Sequence, residues 1–264
     1  MSSLHEAFAA AKAEDRAALV GYLPAGFPTV DGAVDAIRVM VENGVDIVEI
    51  GLPYSDPLMD GPTIQAAVDA ALRGGVTTKD VLATAEAVAR TGAPTLVMTY
   101  WNPVERYGTE RFARDLASAG GIGVITPDLT PEEARPWIEA SDDAGIDRVF
   151  LVAPSSSDER IDVVCGITTG FVYAASLMGV TGVKSVSSAA PELVARTRPR
   201  TPLPVAVGLG VSTAAQAAEV AQYADGVIVG SAFVKQLLEA PTPAEGVAAV
   251  GRLAADLAEG VRRR

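Results

Sequence analysis

The chain has 264 residues, 49% hydrophobic and 20% charged, with a formal net charge of −12 and a pI near 4.6. That is enough apolar material for a substantial core, and an acidic surface of this kind argues against nucleic acid or an anionic membrane as partner. Cys165 is the only cysteine and His5 the only histidine, which excludes an internal disulfide, a cysteine-based zinc site and any Ser-His-Asp triad not built on His5, and makes a reducing cytoplasm the expected compartment.

The first twenty residues lack a basic start followed by an apolar core, so no signal peptide is expected, and no apolar run is long enough to span a bilayer. Residues 2–14 read as an extra helix, with His5 on its surface. Short apolar runs then follow at 18–24, 45–51, 93–100, 123–128, 147–154, 170–176, 203–210 and 225–231. They are rich in Val and Ile and lack strict polar alternation, the pattern of strands buried on both faces. Between them lie helical patterns, among them 30–43, 78–91, 109–119, 131–144, 190–197, 213–222 and 244–262. Thr130 with Pro131, Glu132 and Glu133, Ser212, and Thr242 with Pro243 read as helix starts; Gly44 and Gly145 read as stops. Eight strands alternating with helices predict a single (β/α)8 barrel domain over 1–264, its bottom covered by the extra N-terminal helix. A doubly wound open sheet has the same alternation and remains the alternative.

Within VDIVEIGLPYSDPLMDGPTIQ (45–65), Glu49 interrupts a run that otherwise reads as a buried strand. Burying a carboxylate among Val45, Ile47, Val48 and Ile50 strips its charged form of water, so a partner or a task is expected. Asp60 follows in a loop stiffened by Pro53, Pro57 and Pro62. In a barrel, both acids fall at the C-terminal ends of the strands, where the chemistry of that fold is done. Glycines mark the ends of the last three runs, in GVTG (179–182), GLGVS (208–212) and VGSAF (229–233). Glycine there lets backbone N–H groups approach a ligand, and the helix start just beyond adds partial positive charge. Gly210, Gly230 and Ser231 are the phosphate-site candidates, with Gly182 approaching from the sixth loop; plain helix-entry turns remain the alternative.

The stretch EIGLPYSDPLMDGPTIQ (49–65) resembles the signature of the tryptophan synthase alpha subunit family. GYLPAGFP (21–28), MTYWNPV (98–104), PDLTPEE (127–133), GVTG, GLGVS and VGSAFV (229–234) extend the likeness in order along nearly the whole chain. The resemblance implies a (β/α)8 barrel that cleaves indole-3-glycerol phosphate to indole and glyceraldehyde 3-phosphate, with no metal and no cofactor in this chain. Matched by motif, Glu49 is the proton shuttle and Asp60 the fixed charge facing the indole nitrogen. Tyr173 matches a tyrosine near that glutamate, although a barrel-core aromatic would look the same. Tyr22, Met98, Tyr100, Ile125, Leu151 and Leu209 match the indole pocket, Thr181 the closing sixth loop, and Gly182, Gly210, Gly230 and Ser231 the phosphate site. The resemblance further implies an α2β2 assembly with a pyridoxal-phosphate beta subunit, met by Pro53, Asp56 and their neighbours in 52–60. Leu177 stands where some members carry arginine, and GYLPAGFP lacks an acidic residue found in others. A stand-alone lyase releasing free indole and a non-catalytic regulatory subunit are the alternatives.

Overall fold

A computed structural model of the chain describes residues 3–175, 189–208 and 210–263. Every apolar run forms strand: β1 Ala18–Pro24, β2 Ile47–Gly51, β3 Thr95–Met98, β4 Gly123–Ile125, β5 Asp147–Val149, β6 Leu151–Val152, β7 Val172–Ala175, β8 Val205–Gly208 and β9 Gly226–Val229. All pairings are parallel, in the order β5-β4-β3-β2-β1-β9-β8-β7-β6. The run 147–154, expected as one strand, is divided at Phe150, with β5 on β4 and β6 on β7. The Phe150 carbonyl still accepts the Tyr173 N–H at 3.2 Å. The two segments therefore act as one stave, and the sheet closes into an eight-staved barrel of the (β/α)8 kind rather than an open sheet.

A strand turns alternate residues to opposite faces, and the two faces here have different company. Leu19, Val48, Val97, Val124, Val172, Val207 and Val227 pack outward among the helices. Val20, Ile47, Leu96, Ile125, Val149, Ala206 and Ile228 pack together inside the barrel. The helix Ser3–Ala13 adds Leu4, Phe8 and Ala11 to that interior group, and the Phe8 ring lies 5.5 Å from Phe171. The extra helix thus plugs the bottom of the barrel, with His5 left exposed. Arg16, just past the plug, donates to both oxygens of Asp46 at 2.6 and 2.8 Å, and Asp46 accepts the Leu19 N–H at 2.8 Å. This pair fastens the plug's exit to the foot of β2.

Three local expectations change. Helix 131–144 begins instead at Arg135, because Pro136 cannot sit inside a helix: it has no N–H and its ring would strike the carbonyl four residues back. Thr213, not Ser212, caps the helix Ala214–Ala221, accepting the Gln216 N–H. Pro62 is the first residue of a helix, Pro62–Arg73, so the stiff loop after β2 ends at Gly61. The helices Trp101–Tyr107, Asp158–Ile167 and Ser231–Glu239 were also not singled out by periodicity.

If the first helix is a structural plug, Phe8→Ala opens a cavity among Leu4, Phe171 and the barrel floor. The expected loss is about 3–5 kcal/mol, read as a lowered urea midpoint. A loosely attached helix would cost under about 1 kcal/mol.

Candidate active site

Alternation along β2 places Glu49 two residues above Ile47 on the inward face, beside Tyr22 in the register with β1 and Leu96 in that with β3. The carboxylate is fully buried, and among the described residues neither oxygen has a hydrogen-bond partner. With nothing to replace its lost water, the charged form is disfavoured, and burial pushes the Glu49 carboxyl up to about 8. Asp60 stands on the loop after β2, close enough to Tyr22 to act on its hydroxyl. Its Oδ1 accepts the Tyr100 hydroxyl at 3.0 Å, and that hydroxyl accepts the Met59 N–H at 2.9 Å. Burial also raises Asp60, while the Tyr100 hydrogen bond opposes the rise.

Glu49, Tyr22, Met98, Tyr173, Gly208, Gly210, Ile228, Gly230 and Ser231 line one cavity of about 100 Å³ at the barrel mouth. Burial, then the nearby carboxylates, hold the Tyr22 hydroxyl well above its ordinary range; burial and then Glu49 do the same for Tyr173. Both phenols are therefore neutral hydroxyls at working pH. Two glycines are needed simply to admit them. A Cβ on Gly51 would lie 2.2 Å from the Tyr22 hydroxyl oxygen, and one on Gly208 would lie 2.4 Å from that of Tyr173. So Gly208, part of the GLG turn, makes room for a tyrosine. Gly210 has φ +74°, a backbone few other residues adopt. Gly230 precedes the helix Ser231–Glu239, whose first turn has no side-chain cap, and it lines the cavity with Ser231. Backbone N–H groups at such a helix start suit an anion.

The other sequence candidates scatter around this cavity. Tyr100 is buried and tied to Asp60, so it does more than form an apolar wall. Ile125 is fully buried in the layer below, and Leu151 borders a neighbouring cavity of about 130 Å³. Thr181, Gly182, Leu177 and Leu209 lie outside the described residues. On the loop after β2, Pro53 is buried, whereas Asp56, Leu58 and Met59 are exposed, Leu58 by 75% and Met59 by 51%. Two exposed large apolar side chains next to Asp60 went unnoticed in the sequence; the signal was present in PLMD (57–60). Larger concavities lie on the outside of the barrel, one of about 480 Å³ around Arg111 and Glu139, but neither of these side chains is buried. Among the described residues, no group of three or more His, Cys, Asp or Glu is placed to hold a metal ion.

The raised Glu49 carboxyl has a consequence for stability. Between the unfolded value of 4.5 and about 8, the folded chain holds a proton that the unfolded chain has lost. Stability then falls as pH rises through that window and levels off above it. Glu49→Gln removes this dependence. Thermal melts from pH 5 to 9 should show the variant gaining on the wild type up to about pH 8. A constant gap between the two would mean an ordinary carboxyl.

The profile of the tryptophan synthase alpha chain family matches residues 8–262. The tryptophan synthase alpha chain of Acidothermus cellulolyticus is 61% identical, covering 100% of this chain and 98% of the relative; that of Thermobifida fusca is 59% identical, covering 99% and 98%. A solved structure of Mycobacterium tuberculosis tryptophan synthase superposes with a TM-score of 0.93 at 56% identity, covering 99% of this chain and 98% of that one. These matches cover nearly the whole chain, and the chain belongs to the tryptophan synthase alpha chain family.

Proposed function

We propose that Glu49 and Asp60 divide the cleavage of indole-3-glycerol phosphate between a mobile proton and a fixed charge. The family's alpha chain is the lyase subunit of tryptophan synthase. Its retro-aldol reaction needs a proton on indole C3 and needs one removed from the adjacent side-chain hydroxyl. Glu49, raised to about 8, holds a proton near neutrality and gives it to C3. The carboxylate left behind takes the hydroxyl proton as the carbon–carbon bond breaks. The bonding pair returns to the ring, indole and glyceraldehyde 3-phosphate separate, and Glu49 regains its proton. Asp60 accepts the indole N–H and stabilises the positive charge of the protonated ring. Tyr173, a neutral hydroxyl near Glu49, steers that carboxyl. Gly210, Gly230 and Ser231 offer N–H groups to the phosphate, joined by Gly182 of the sixth loop, where Thr181 belongs to the closing segment. Tyr22 and Met98, which line the cavity, face the indole ring, and the family pattern assigns Tyr100, Ile125, Leu151 and Leu209 to the same pocket. The observation that carries this reading is Glu49 itself: a buried, unpartnered carboxyl facing a cavity with an uncapped helix start at its rim.

We further infer that the chain works against a pyridoxal-phosphate beta subunit in an α2β2 assembly, with no cofactor of its own, in the cytoplasm. The exposed Leu58 and Met59 beside Asp56 support a protein partner at this loop. The lone cysteine, Cys165, is free and buried, in keeping with a reducing compartment. Among the described residues, no helix is long and apolar enough to cross a membrane.

Indole release tests the roles directly. Glu49→Gln and Asp60→Asn should each lower kcat by about 100-fold or more, and near wild-type rates in both would remove them from the mechanism. The acid form of Glu49 begins the reaction, so kcat/KM should fall as pH rises through about 8. Adding a beta subunit should stimulate the wild type strongly and Asp56→Ala weakly. Equal stimulation of both would take the loop out of the interface.

A further inference from the structure

Asp60 is held by a side chain from the neighbouring stave. Its hydrogen bond comes from Tyr100, the residue just before the seven-residue helix Trp101–Tyr107. Tyr100 has no role in capping that helix with its side chain. The first N–H of the helix, that of Trp101, is instead satisfied from the next stave: both carboxylate oxygens of Asp128, in the turn after β4, accept it at 2.9 and 3.1 Å. The carboxylate also lies at the positive end of the helix. On the same peptide, the Tyr100 carbonyl accepts the Thr99 hydroxyl at 2.9 Å, and earlier in the chain the Thr99 N–H donates to the Ile125 carbonyl at 3.0 Å. The peptide joining Tyr100 to Trp101 is thus held at both its carbonyl and its N–H, and the phenol reaches back to grip Met59 and Asp60 together.

We propose that Asp128 is a positioning residue for Asp60, acting through Trp101 and Tyr100. The proposal rests on the role given to Asp60 above. Without Asp128, the Trp101 N–H loses this acceptor, the Tyr100–Trp101 peptide keeps the Thr99 hydroxyl on its carbonyl but tilts about it, and the phenol shifts away from Asp60. Aligned charge stabilisation depends on placement to a fraction of an ångström, so the loss falls on the chemical step rather than on substrate affinity.

A double-mutant cycle between Asp128→Ala and Tyr100→Phe tests this, with Asp128→Asn as the conservative variant. Asp128→Ala should lower kcat for indole release on the order of tenfold with KM changed less, and Asp128→Asn, which keeps an oxygen for the Trp101 N–H, should stay within about twofold of the wild type. In the Tyr100→Phe background, Asp128→Ala should add less than about twofold. The second readout is the titration of the Asp60 carboxyl by carbon NMR, assigned with Asp60→Asn. The Tyr100 hydrogen bond holds Asp60 down, so Asp128→Ala and Tyr100→Phe should each raise its midpoint, and the double variant should raise it no further than Tyr100→Phe. Should Asp128→Ala not fold, Asp128→Ser takes its place in the same cycle. Equal effects of the Asp128 substitution with and without the Tyr100 hydroxyl, or an Asp60 midpoint that Asp128 leaves unmoved, would overturn the proposal. A wild-type chain that releases no indole even with a beta subunit would overturn the lyase roles instead, and the titration would still decide on Asp128.

Discussion

The site is organised around one cost: a carboxylate held out of water without a partner. Glu49 is fully buried, and among the described residues no group bonds to either oxygen. An ion pair would remove the cost and also remove the proton, because a neighbouring cation favours the ionised form. The penalty is tolerable because the rest of the barrel is so apolar. Below Glu49, the interior is filled by Ile47, Val20, Leu96 and their neighbours, and outside it, Val48 and Ile50 pack against helices. The barrel thus supplies both the low dielectric that holds the proton on Glu49 and the packing energy that tolerates it.

Asp60 is set up in the opposite way. It hangs from a loop, keeps a hydroxyl donor, and is only partly enclosed. Burial raises both acids, one on a rigid stave and the other on a tethered loop, but among the described residues only Asp60 has a hydroxyl donor opposing the rise. The two tyrosines that complete the cavity add neutral hydroxyls and no charge. They are seated by glycines on the adjacent staves, where any side chain would collide with them.

Much of this was legible in the sequence. Strands buried on both faces read as apolar runs, and a parallel barrel needs no more than that, so all the staves were visible. A lone acid in such a run was conspicuous because period-two alternation leaves it no wet face to use. What failed to show were bonds between residues far apart in the chain. Tyr100 meets Asp60 across 40 positions and Asp128 meets Trp101 across 27, and no local pattern encodes either contact. Pro136 misled differently: the signals at Thr130 through Glu133 were real turn chemistry, but the proline three residues later allowed a helix only beyond them. The glycines of GLG looked like ligand-binding backbone, and one of them serves mainly to make room for Tyr173.

The plugged floor carries a last implication. Leu4, Phe8 and Ala11 close the end of the barrel opposite the carboxylates, so the reaction chamber is a vessel with one mouth. Two products of opposite character, an apolar ring and a charged triose, must leave past the same rim that admitted their parent. Both pass that rim, where the uncapped helix start at Ser231 and the exposed apolar loop at Leu58 and Met59 belong to different staves. The rim is thus divided by chemistry rather than by separate openings, a polar helix start on one stave and an apolar loop on another.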